Sequence, residues 1–451
     1  MSVLRSSIMN YDALTTETLR HLQALIRLDT SNPPGNESLA VAYIASVLDA
    51  EDIPYTVLER RPGRGNIIAR LTGDGSAAPL LLMGHTDVVP AETDAWTHPP
   101  FAAEIVEDHL WGRGALDMKF MDAYELAVFL RLHRERVPLR RDVILALTAD
   151  EEIAEGNGID WLAATHPDLI RAEYAINELG ATTVWYGDKP VYGIQVAEKG
   201  CVWLRLTRRG APGHASIPRA DNPVLALAEQ VARLARFLPE TTLTRTTEQY
   251  VNGLAAVLGI EYKELITAAH DLSMPNPFPD LLPEMQRQTL HAQLHNTAVP
   301  TELHAGYKTN VIPSSASAVI DGRSLPGFDT AAWLDAFRPA LDPNTEVEVF
   351  IAAQPLEVPH DNALYRLMER TLTQAHPGAS VLPMLMTGAT DAKYLAPLGV
   401  NVYGFSPIRF ERGAPGAELI HSHDERIPLA GLDFGVHALW NVVSMFTTGG
   451  V

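Results

Sequence analysis

Four short segments each end an apolar run in side chains able to bind a hard or borderline metal ion. Leu81-Leu82-Met83-Gly84-His85-Thr86-Asp87 brings His85 to the end of a strand-like run, with Asp87 two residues on. A carboxylate returning to the far ring nitrogen would fix the imidazole tautomer and raise its basicity as a ligand. Trp111-Gly112-Arg113-Gly114-Ala115-Leu116-Asp117-Met118-Lys119 sets Asp117 behind a glycine loop, where one carboxylate could bridge two cations. An aspartate that only caps a helix fits the same pattern. In Thr148-Ala149-Asp150-Glu151-Glu152, consecutive acids follow the apolar run Val143–Leu147. Bound cations would turn their mutual repulsion into attraction, and adjacent glutamates could then divide labour between metal and attacking water. Tyr174-Ala175-Ile176-Asn177-Glu178 ends the same way. Taken singly, each segment also reads as a satisfied histidine or a charged turn; their order carries the argument.

The elements needed to position these groups are legible as alternating patterns over the first 190 residues, which predicts an α/β layer structure. Helical spacing of Leu19, Leu22, Leu25 and Ile26 stops before Asn32-Pro33-Pro34-Gly35, and a second helix is expected over Ser38–Leu48. Asn66–Leu71, Leu80–Met83 and Val143–Leu147 read as buried strands, and Ala115–His133 as a helix. Ligands of such sheets collect outside the carboxyl ends of the strands. Imidazole and carboxylates without thiolate suit zinc and tolerate cobalt or manganese. The pattern changes near Gly200. Val202–Leu206 and Ala318–Arg323 read as strands, Asn222-Pro223 as the capped start of a helix, Thr330–Phe337 as a helix and Val347–Ile351 as a strand. The stretch 240–305, with Pro275, Pro277 and Pro279, reads as a partly helical insertion. Helix over Asn362–Gln374, strand over Val400–Phe405 and helix over Leu429–Val443 follow.

Length and composition set the outer limits. A chain of 451 residues predicts two or three domains, and a net charge of −20 opposes phosphate backbones, which excludes nucleic acid as a partner. The single cysteine, Cys201, rules out an intramolecular disulfide and a CxxC metal site. Met1–Asn10 has no apolar core before a cleavage site, and no run reaches the roughly 18 apolar residues of a membrane span. A cytoplasmic protein without membrane attachment is the expectation.

Gly84-His85-Thr86-Asp87-Val88-Val89-Pro90, Gly112–Lys119 and Asp150-Glu151-Glu152 resemble, in order, the signature segments of the M20 metallopeptidases. That family includes aminoacylases, carboxypeptidase G2-like and carboxypeptidase S-like enzymes and succinyl-diaminopimelate desuccinylase. The resemblance runs from Asp29–Gly35 to the end of the chain, outside 240–305. It implies an α/β catalytic domain of the two-zinc exopeptidase type over 1–198 and 353–451, with an α+β lid over 199–352 used for homodimerisation. It implies that Asp117 bridges two zinc ions, with His85 and Glu178 on one, Glu152 and a late histidine on the other. Glu151 would be the general base and Asp87 the orienter of His85. The late histidine comes from Glu418-Leu419-Ile420-His421-Ser422-His423-Asp424-Glu425, and His421, four residues before a glutamate, is chosen over His423. Gly213-His214-Ala215-Ser216 resembles the lid segment whose histidine helps polarise the scissile carbonyl of a neighbouring subunit. Asn310 and Arg323 resemble lid residues that grip the substrate's carbonyl and carboxylate, and Gly388 a backbone contact beside the substrate. For Arg323, a salt bridge to Asp321 is the competing reading.

The implied reaction is hydrolysis of a peptide or N-acyl amino acid beside a free carboxylate. Aminopeptidase or dipeptidase action is the alternative within the family, and a non-catalytic metal-bound protein the alternative outside it. A serine hydrolase would need a Gly-x-Ser-x-Gly elbow, which is absent.

Overall fold

The computed structural model describes residues 11–450, so the opening segment Met1–Asn10 lies outside the described residues. The described residues divide into two compact units, 11–195 with Val358–Leu382 and 390–450, and Val196–Glu357 with Pro383–Ala389.

In the first unit the apolar runs form the middle of a twisted mixed sheet. Leu80–His85 lies between Val143–Thr148 and Tyr174–Asn177 and is parallel to both. Asn401–Gly404 continues the row parallel to Tyr174–Asn177, while Gly65–Leu71 and Tyr55–Glu59 close the other side antiparallel. Every residue of Leu80–His85 and Val143–Thr148 is buried, which is why these strands read as continuous apolar runs rather than alternating ones. Helix Lys119–Arg134 lies against both strands and packs with helices Ala13–Ile26 and Leu429–Thr448. The last of these, 20 residues long, is apolar enough by length and composition to cross a membrane, contrary to the expectation that no run would be, but over half of its apolar window is buried inside the fold as in a core helix. Because the central strands run parallel, His85, Thr148, Asn177 and Gly404 end at one edge of the sheet, and the polar segments continue from there.

The helix expected over Ala115–His133 starts later, at Lys119. Ala115–Met118 stays bent because the amides of Leu116 and Asp117 donate to the Glu425 carboxylate instead of entering a helical ladder. This leaves Asp117 on a turn, ahead of the helix.

The second unit is built on an antiparallel sheet in the order Thr297–Ala305, Ser315–Ser324, Gly200–Arg209, Glu346–Ala353. Helices Pro223–Ala235 and Thr330–Phe337 cover one face, around Val202, Leu204, Leu206, Leu227, Ile320 and Trp333. Asn222 caps the first helix by accepting from the Val224 N–H at 3.0 Å, with Pro223 at its first position. The stretch expected as one insertion, 240–305, divides in two. Helices Arg245–Leu258, Tyr262–His270 and Glu284–Leu294 form the added part. Thr297–Ala305 is instead an edge strand of the sheet, paired with Ser315–Ser324.

Candidate metal centre

His85 is the last residue of its strand and is almost wholly buried. Its Nδ1 donates to the Asp87 carbonyl at 3.1 Å, with an Asp87 carboxylate oxygen 3.4 Å away. A proton held on Nδ1 leaves Nε2 with its lone pair, the form a metal ligand needs. That Nε2 lies 3.2 Å from Asp117 Oδ1 and 3.7 Å from Glu178 Oε2. On the other side, His421 Nε2 lies 3.1 Å from Asp117 Oδ2 and 3.4 Å from Glu152 Oε2. Thus the two oxygens of Asp117 face different histidines, as a bridging carboxylate would. His423 turns elsewhere, its Nε2 3.3 Å from Glu92.

The donor set fits divalent metal. Ligands about 2.1 Å from a tetrahedral zinc stand about 3.4 Å apart, close to the spacings around Asp117. His85, Asp117 and Glu152, and likewise His85, Glu151 and Glu178, each offer donor atoms lying within 4.8 Å of one another. Buried His85 Nε2, Asp117 Oδ1 and Glu152 Oε1 make no hydrogen bond among the described residues. Buried polar atoms are almost always satisfied, so atoms left over and converging point to a cation.

Electrostatics agree. Burial would lower the His85 pKa, but Asp117, Asp87 and Glu178 raise it well above the usual imidazole value. His421 is pushed up to about 10 by Asp117 and Glu152. Burial and the charge of Glu178 raise Glu151 well above the ordinary carboxylate range. Burial lifts Asp391 to about 8. Such a concentration of negative charge holds protons tightly, and dications would replace them.

Asp87 does more than orient His85. It accepts the amides of Glu151 at 3.2 Å and Glu152 at 3.1 Å, and Asn32 Nδ2 at 2.9 Å. One residue therefore holds the histidine through its carbonyl and the two glutamates through its carboxylate. Asp150 turns the chain with φ +72°, a left-handed conformation that Asp tolerates better than most residues. Its carboxylate is held by Arg64 at 2.8 Å and by the Asn157 amide and side chain, and Arg64 forks onto buried Glu37. Gly158 packs where a Cβ would lie 1.8 Å from the Ala149 carbonyl, so the loop closes only with glycine there.

The remaining expected site residues belong to the second unit. His214 pairs with Val311 on a two-residue ladder, and the Asn310 carbonyl accepts the Ala215 N–H at 3.1 Å, so His214 and Asn310 are neighbours. The Ser216 N–H donates to His214 Nδ1 at 3.2 Å, which puts the proton of the neutral ring on exposed Nε2 and makes that atom a donor. Gly388 lies in the 383–389 segment of this unit. Arg323 forms the competing salt bridge: Nε and Nη2 bind Asp321 at 2.7 and 3.0 Å, and Nη1 faces Cys201 Sγ at 3.0 Å.

Local sequence pattern does not single out Glu425, Asp391, Asn32 or the Glu37–Arg64 pair. Glu425 and Asn32 sit inside segments whose pattern points to other residues, and Asp391 lies three residues beyond Gly388. Glu37 and Arg64 carry no local signal, since their importance comes from Asp150, 86 positions beyond Arg64.

The profile of peptidase family M20/M25/M40 matches residues 81–444. The chain belongs to this family. It is therefore a hydrolase, on a fold shared with dinuclear metal peptidases. An N-fatty-acyl-amino acid synthase/hydrolase, PM20D1 of Xenopus tropicalis, is 30% identical over 363 residues, 78% of this chain and 70% of its own. A probable carboxypeptidase S-like 2 of Dictyostelium discoideum is 28% identical over 384 residues, covering 82% and 72%. An M20 family metallo-carboxypeptidase of Sulfolobus solfataricus superposes with a TM-score of 0.73 at 18% identity, over 96% of this chain and 99% of its own.

Proposed function

We propose that this M20 hydrolase cleaves the amide bond of a peptide or N-acyl amino acid beside a free carboxylate, with two zinc ions per subunit. The observation that carries the reading is Asp117, whose oxygens face His85 at 3.2 Å and His421 at 3.1 Å. His85 and Glu178 would hold one ion, Glu152 and His421 the other, and cobalt or manganese would substitute. When bound, such ions would supply an acidified water, its pKa lowered from about 15.7 towards about 7, and polarisation of the amide carbonyl.

Glu151, flanked by ligands but not needed by either ion's set, takes the water's proton and delivers it to the leaving amine. Asp87 keeps Glu151 and Glu152 in place through their amides. The second unit is read as the lid: His214 supplies Nε2–H to the carbonyl oxygen and Asn310 assists. Gly388 is the backbone contact. Arg323 is the contact for the free carboxylate, through the N–H groups that Asp321 and Cys201 leave over. The names of the N-fatty-acyl-amino acid hydrolase and carboxypeptidase S-like relatives favour a substrate with a terminal carboxylate. A homodimer through the lid and a cytoplasmic location complete the reading.

The test is a hydrolysis screen of N-acyl amino acids, dipeptides and C-amidated controls, with metal analysis of the purified protein. Cleavage of carboxylate substrates by protein holding two zinc ions is the expected outcome. Equal cleavage of amidated controls would remove carboxylate recognition, and preference for a free amine would favour aminopeptidase action.

A further inference from the structure

Beyond the ligands, one buried carboxylate joins two separate pieces of the site. Glu425 lies four residues after His421 and is fully buried. Its Oε1 accepts the Leu116 N–H at 2.6 Å and the Asp117 N–H at 3.2 Å, and its Oε2 takes the Arg113 guanidinium of the same loop. The Glu425 carbonyl accepts the Gly112 N–H at 3.0 Å. Neighbouring Asp424 binds the Thr97 amide and hydroxyl at 2.7 and 2.8 Å, and Arg426–Pro428 pairs antiparallel with His109–Trp111. The chain after His421 is thus fastened to the loop that presents Asp117. His421 itself is half-exposed and holds a left-handed backbone, φ +59°, a conformation that needs support from what surrounds it.

We propose that Glu425 is a positioning residue that sets the register between Asp117 and His421, so that its loss loosens the ion held by Asp117, Glu152 and His421 more than the ion that Asp117 shares with His85 and Glu178. The proposal rests on the two-metal reading above. Hydrogen bonds from backbone amides to a buried carboxylate are charge-assisted and directional, so they fix where the Asp117 main chain can sit. Outer partners of metal ligands typically change affinity by about 10–100-fold when removed. His85 and Glu178 stand on their own strand ends, which Glu425 does not touch.

Two variants separate shape from charge. Glu425→Gln keeps the shape but turns an NH2 against Arg113, and Glu425→Asp keeps the charge but stops one methylene short of the Leu116 and Asp117 amides. Metal-free wild type, both variants and His421→Ala are titrated with Zn2+ against a competing chelator, and the melting temperature of each metal-free protein is measured. His421→Ala identifies which binding step belongs to the Asp117–Glu152–His421 ion. In both Glu425 variants that step weakens by about 10–100-fold. The other step, which shares Asp117, weakens less, and opening the buried Glu425–Arg113 pair lowers the metal-free melting temperature. Equal weakening of both steps, or no change in either, overturns the positioning role. A wild type that binds a single zinc overturns the two-metal reading and this inference with it.

Discussion

Glu151 and Glu152 are adjacent in sequence yet are assigned different work. Glu152 has His421 Nε2 3.4 Å from its Oε2, whereas Glu151 joins the group of His85 and Glu178 and carries a strongly raised pKa. Glu151→Gln removes the proton acceptor with almost no change in shape, so kcat falls by about 10²–10⁴-fold while two zinc ions remain bound. Steady-state kinetics together with metal analysis read both; undiminished turnover takes Glu151 out of the reaction. Asp87→Ala acts differently, since it frees the amides of Glu151 and Glu152 and removes the negative charge beside His85 Nδ1, although the ring keeps its hydrogen bond to the main-chain carbonyl at that position. Zinc affinity drops by about 10–100-fold, measured by chelator competition, and unchanged affinity would reduce Asp87 to a local turn. At this scale His85, Glu152 and Glu178 are legible as candidate ligands because each follows its own apolar run. Their partners are not: Glu425 reaches Arg113 across 312 positions, and no local spacing encodes such a contact.

Among the elements, buried apolar runs and capped helices matched what the residues dictate, and the misses share a cause. Helix Lys119–Arg134 begins late because a distant carboxylate takes the amides that would have begun it. Thr297–Ala305 escaped notice because it is an edge strand, mostly exposed and interrupted by Pro300, so it has neither a continuous apolar run nor clean alternation. The added helices of the second unit are fastened by Lys199, whose buried ammonium donates to the carbonyls of Ala292 and His295 and to the Thr297 hydroxyl at 2.8–3.0 Å. A cation at the C-terminal end of helix Glu284–Leu294 is favoured by the helix dipole, yet burial brings its pKa down to about 7. Between pH 7 and about 10.5 the unfolded chain keeps a proton that the folded chain has shed, so Lys199 adds stability as pH rises through that window. Lys199→Met loses this slope, at most about 1.4 kcal/mol per pH unit, and strands the carbonyl groups at a cost of about 1–3 kcal/mol. Melting temperatures from pH 7 to 9.5 should therefore diverge, the wild type gaining on the variant. Parallel curves would show that the lysine keeps its proton.

For the whole molecule, the division of labour between two units makes oligomeric state a question about chemistry. Glu151 and the proposed metal ligands belong to the first unit, His214 and Asn310 to the second. Exposed His214, with Nε2–H directed outward by the Ser216 hydrogen bond to Nδ1, is prepared to donate to a group outside its own loop. If that group is a carbonyl bound in the partner subunit, neither His214→Ala nor Glu151→Gln homodimers turn over. A mixed dimer, however, contains one site with both residues intact. Random exchange in an equal mixture makes half the dimers mixed, and each has one working site of two, so about a quarter of wild-type activity returns. The measurement is activity of the two purified variants before and after mixing under conditions that allow subunit exchange, with mass in solution followed alongside. Activity that stays at the level of the separate variants, despite exchange, places His214 in the same subunit as the site it serves. A monomer of undiminished wild-type activity gives the same answer by a shorter route. The net charge of −20 spreads like charge over the subunits, so salt screening should aid exchange, and the mixing is best done at moderate ionic strength.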